Sequence, residues 1–153
     1  MARLSRALVG FGLLLCLFCH AAAAEQRYLV EAELWLDGVQ RGTPSLLISA
    51  NTEASLETGD DETGWRLELE VEPVDDDYAP ANALWVHVTV HQRTDGIWEH
   101  LVDSIVGVPE GEVATVSVVD GDADARPETA AVYLRLRTRR HVPEEADAAA
   151  PTP

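Results

Sequence analysis

"WRLELEVE", residues 65–72, decides the fold. Trp65, Leu67, Leu69 and Val71 alternate with Arg66, Glu68, Glu70 and Glu72. Successive side chains leave a pleated strand on opposite faces, so this pattern predicts a strand half buried against a core. "LWVHVTV" (84–90) and "VYLRLRT" (132–138) repeat it.

Outward from there, the same pattern predicts strands near 27–36, 45–50, 53–57, 64–72, 83–93, 97–106, 113–119 and 131–139. Turn residues separate them: Asp37-Gly38, Gly59, Gly64, Pro73, Asp95-Gly96, Pro109, Gly111 and Gly121. No stretch from residue 25 onward keeps a helical period. Short strands without helices to cover a parallel sheet predict an all-β domain, an antiparallel β-sandwich of about eight strands over residues 25–140. "HVPEEADAAAPTP" (141–153) is acid, alanine and proline, a tail predicted to be disordered because it cannot bury a core.

A faint internal repeat runs through the domain. Asp37-Gly38 matches Asp95-Gly96, Ser45 matches Ser104, Ala54 matches Ala114, and "WRLELEVE" matches "VYLRLRTR". An internal duplication would let each half supply one sheet; chance matching of strand and turn patterns is the alternative.

The first 24 residues read differently. Arg3 and Arg6 precede an apolar run from Ala7 to Cys19, and Ala22-Ala23-Ala24 precedes Glu25. This predicts a cleaved signal peptide over 1–24 and a periplasmic or secreted location. The apolar run is shorter than the roughly 20 residues a membrane span needs. Cys16 and Cys19 have redox spacing but lie in the segment to be discarded. The mature chain has no cysteine, so its core must hold it together without disulfides.

Charge narrows the partners. The whole chain carries −16, there is no lysine, and cleavage leaves nine arginines against 27 acidic residues, a formal −18. Nucleic acid is excluded, since it needs cationic groups to neutralise phosphates. Anionic membranes would be repelled, whereas a cation or a basic partner would be attracted.

The residues with chemistry cluster in "HVTVHQRTDGIWEH" (87–100). Asp95-Gly96 predicts a two-residue type I′ hairpin turn. Counting from it, His91 faces His100, Arg93 faces Trp98, His87 faces Ser104 and Trp85 faces Val106. Val86, Val88, Val90, Leu101 and Ile105 then form the core side. Trp85, His87, His91, Arg93, Trp98 and His100 share the other side as a candidate binding face. His91 and His100 are close enough to share a divalent metal, though the count supplies no third ligand. A plain solvated face is the simpler reading. Ser104 opposite His87 suggests a hydrolase only weakly, because Ser104 lies in mid-strand, Asp103 points away and no nucleophile elbow is present.

Two further clusters carry charge. Asp120, Asp122 and Asp124 resemble the start of a calcium loop, but Ala125 and Ala131 stand where an EF-hand needs Gly and Glu. The loop is expected at the same end as Asp37, Asp60, Asp61, Glu62 and Asp95. Arg135, Arg137 and Arg139 share one strand face and are expected to pair with Glu68, Glu70 and Glu72.

"LDGVQRGTPSLLISANTEASLE" (36–57), followed by "GWRLELEVEP" (64–73), resembles small exported β-domain proteins of proteobacteria. That resemblance implies a periplasmic β-protein and brings no catalytic residue. The expected function is therefore an exported, non-enzymatic binding or interaction module with a protein partner and no resident cofactor. The alternative is a divalent-metal-handling protein using the acidic loop or the His pair.

Overall fold

The structure is a computed structural model that describes residues 25–76, 79–80, 82–122 and 124–143. The expected signal peptide (1–24) and most of the expected tail (144–153) lie outside the described residues. The domain is an antiparallel β-sandwich with no helix among the described residues.

Nine strands appear in order: β1 (Arg27–Leu36), β2 (Val39–Gly42), β3 (Ser45–Ser49), β4 (Glu53–Gly59), β5 (Gly64–Pro73), β6 (Ala83–Thr94), β7 (Ile97–Pro109), β8 (Val113–Val118) and β9 (Val132–Arg140). The first sheet runs β2-β1-β9-β8, with β3 also paired to β1; the second runs β4-β5-β6-β7. The ninth strand, absent from the sequence reading, is β2. Its register on β1 continues into β3, from Leu34↔Gly42 to Glu31↔Ser45. The two are one long strand interrupted at Thr43-Pro44. Proline has no N–H to donate, although the Pro44 carbonyl still accepts from Ala32 N at 2.9 Å.

The core is the alternation made solid. Val30, Leu34, Leu67, Leu69, Val86, Val88, Val90, Leu134 and Leu136 are all fully buried between the sheets. Asp95 and Gly96 have the positive φ that a type I′ turn requires (52° and 78°), and the first Asp-Gly turn shares it at Asp37 and Gly38 (51° and 75°).

The strand order has a two-fold correspondence of the kind a repeat would give, but not one sheet per half. β1 pairs with β9, and β5 with β6, so each sheet takes strands from both halves. Replacing β1, β2/β3, β9 and β8 by β6, β7, β5 and β4 turns the order of the first sheet into that of the second. The inward residues follow: Trp65, Leu67, Leu69 and Val71 on β5 correspond to Val132, Leu134, Leu136 and Thr138 on β9. β6 follows β5 as its antiparallel neighbour, and with β1 on β9 this interleaves the halves.

That interleaving also corrects an expected ion ladder. β5 and β9 lie in different sheets, so Arg135 and Arg139 pair with β1 instead, to Glu33 at 3.9 Å and Glu31 at 2.7 Å.

Candidate functional site

The β6–β7 hairpin forms with the expected register next to its turn. Arg93 pairs with Trp98 and His91 with His100. The register then shifts, because Val90 pairs with Val102 and leaves Leu101 as an extra residue. A bulge of one residue exchanges the two faces of the strand beyond it. His87 therefore faces Ile105, not Ser104, and Trp85 faces Gly107, not Val106. Ile105, expected in the core, is 58% exposed. Val102, Val106 and Val108 take the inward positions. Ser104 now pairs with Val88 on the inward side while His87 points outward. This separates the two side chains that a serine hydrolase would bring together.

The outer face of β5, β6 and β7 has three parts. At the turn end, two guanidiniums lie over Trp98, with Arg66 Cζ 4.5 Å and Arg93 Cζ 4.2 Å from the ring centre. Glu57 on β4 ties them together, accepting from Arg66 Nη2 at 2.9 Å and Arg93 Nη2 at 3.0 Å. Arg93 also donates to the Asp60 carbonyl. The Asp60 carboxylate caps its own turn, accepting from Thr63 N at 2.7 Å and Glu62 N at 3.0 Å. Those backbone donors hold its carboxyl below the usual carboxylate range, with Arg93 a smaller contributor. Arg93 and Trp98 are thus committed to internal contacts.

The middle and far parts are open. His91 Nε2 lies 3.5 Å from Glu68 Oε2, and its ring meets that of His100 edge to face, centroids 5.2 Å apart and planes 75° apart. His87 Nε2 lies 3.6 Å from Glu72 Oε2. Trp85, 43% exposed, rests across Gly107, where an added Cβ would stand 2.5 Å from the indole. Trp85 also lines a mainly apolar surface pocket of about 440 Å³ with Asp76, Pro80, Leu84, Val108 and Pro109.

No protein-family model, curated protein or solved structure matches this chain.

Glu57, Glu68 and Glu72 were missing from the sequence-based site. Part of the signal was present, since β5 shows an outward acidic row and β6 an outward histidine row, but that the two strands are neighbours is seen only in the sheet order. The other expected metal cluster does not assemble. Asp124 is held by Arg126 at 2.8 Å, and Asp120, Asp122 and Asp124 form no group that gathers around an ion among the described residues. Its expected position is nevertheless right: the loop carrying it packs on the first Asp-Gly turn, where Asp37 N donates to Ala131 O at 3.0 Å. The second turn packs likewise on residues 60–63, with Gly96 N donating to Glu62 O at 2.9 Å.

Proposed function

We propose that this chain is an exported, non-enzymatic β-sandwich module that receives a protein partner on the outer face of β5, β6 and β7. The observation that carries the reading is the exposure of Trp85 and Ile105, 43% and 58%, on either side of His87 on one outer face, beside the outward His91 and His100. Aromatic and aliphatic side chains ringed by polar groups are the composition of an interface centre. The sheet beneath fixes their backbone, so binding has to order only side chains. Export is inferred from residues 1–24, and the strongly acidic surface favours a partner with a basic rim.

The test is cross-linking in the periplasm of the native host, followed by affinity purification. Wild-type protein should yield one predominant partner in chelator-containing buffer. Ile105→Asp should abolish it, while Leu47→Asp, on the outer face of the other sheet, should not. Loss of capture in both variants, or in neither, would overturn the assignment of the face. N-terminal sequencing of the purified chain should begin at Glu25, within about two residues. An intact leader would remove the inference of export.

A further inference from the structure

We propose that Glu68, His91 and His100 bind one divalent transition-metal ion of the zinc and copper class. The three residues come from three adjacent strands, β5, β6 and β7. The backbone is set by the ladders: His91 lies opposite His100, and Glu68 lies opposite Thr89, two residues along β6 from His91.

The spacings are compatible with a shared ion, with Arg66 Nη1 3.6 Å from Glu68 Oε1 and Glu68 Oε2 turned to His91. Two ligands about 2.1 Å from a tetrahedral centre lie roughly 3.4 Å from each other. His91 Nε2 and Glu68 Oε2 are 3.5 Å apart, well beyond the roughly 2.7–2.9 Å of a charge-assisted hydrogen bond. Two imidazoles on one tetrahedral ion place their ring centres roughly 5 Å apart. Those of His91 and His100 are 5.2 Å apart.

His87 and Glu72 provide the internal contrast. Their separation is similar, 3.6 Å, and Glu70 lies opposite His87 on β5, but the β7 neighbour is Ile105, so no second imidazole is available there. Among the described residues no three such side chains already surround one point. The ion therefore completes its site through side-chain rotation on fixed strands, and the exposed His100 has the space for it. Two imidazoles and one carboxylate suit zinc or copper better than calcium or magnesium, which favour all-oxygen shells. Three protein ligands leave a fourth position for water.

The proposal concerns the isolated chain and does not depend on the partner reading, which is tested with chelator present. The experiment is calorimetric titration of the metal-free mature chain with Zn²⁺. One ion should bind per chain. His91→Ala or His100→Ala should abolish saturable binding, and Glu68→Gln should weaken it by at least roughly tenfold. His87→Ala should leave it unchanged. With Cu²⁺ as the probe, electron paramagnetic resonance should show coupling to two imidazole nitrogens. Absence of saturable one-to-one Zn²⁺ binding by the wild-type chain overturns the proposal. So does binding that survives His100→Ala, or that His87→Ala removes as effectively.

Discussion

The outer faces of the two sheets are built on equivalent strands and carry different chemistry. On the first sheet, glutamates of β1 meet arginines of β9, and Arg139 reaches Glu31 at 2.7 Å. Trp35 and Tyr133 add an edge-to-face aromatic pair, centroids 5.7 Å apart. A guanidinium keeps its charge at any pH the fold meets, so these acids have permanent partners. On the second sheet, glutamates of β5 meet histidines of β6 at 3.5 and 3.6 Å. Imidazole is a conditional cation, a hydrogen-bond partner and a metal ligand in turn. The inner faces correspond and the outer faces have diverged. On the first sheet the outward acids meet fixed cations, whereas on the second sheet two of them, Glu68 and Glu72, meet histidines.

The largest expected effect tests the equivalence of the inner faces. Leu69 on β5 and Leu136 on β9 occupy corresponding positions and are each 1% exposed. Each change to alanine removes buried methyl groups and leaves a cavity, so each should cost about 2–5 kcal/mol in urea unfolding. The neighbouring outward changes, Glu70→Ala and Arg137→Ala, should fall within about 0.5 kcal/mol of wild type. A large loss for Leu69→Ala beside a negligible one for Leu136→Ala would break the correspondence between the halves.

The next effect compares the contacts on the outer faces themselves. Trp98→Ala takes the ring from two guanidiniums at once, and a cation–π contact at an exposed site is worth about 0.5–1 kcal/mol. The Glu31–Arg139 pair is about half exposed on both sides, so a double-mutant cycle should give only about 0–1 kcal/mol, falling as salt is raised. Trp98→Ala should therefore exceed the ion-pair coupling in denaturant melts. The reverse order would mean that the first sheet's ladder, not the tryptophan stack, is the stronger device.

Much of this was legible in the chain. Strict alternation gave the sandwich, its buried side and the inward row of β5. Asp-Gly gave both turns and the His91–His100 pair, because such a turn fixes register for the first few residues. Beyond that the local signal fails. Nothing near Leu101 marks it as an extra residue, so Ile105 and Ser104 were placed on the wrong faces. Partners across sheets were misassigned for another reason: Glu68, Glu70 and Glu72 suit Arg135, Arg137 and Arg139 in charge and spacing. Only the order of strands in space shows that β5 meets β6 and β9 meets β1.

The smallest expected effect lies where the two inner faces differ by a single atom. Val71 on β5 and Thr138 on β9 are equivalent, and both are 0% exposed. The Thr138 carbonyl accepts from Gly111 N at 2.8 Å, but its buried Oγ1 has no hydrogen-bond partner among the described residues. A hydroxyl removed from water without a partner costs about 1–3 kcal/mol, and valine has nearly the same shape. Thr138→Val should therefore leave stability unchanged or raise it by about 1 kcal/mol. The reciprocal Val71→Thr should lower it, because it places the same orphaned hydroxyl in the other sheet. Urea midpoints for the two variants, taken at equal m-value, make the check. Destabilisation by Thr138→Val would mean that the hydroxyl has a partner after all, and that the inner faces differ there in more than one atom.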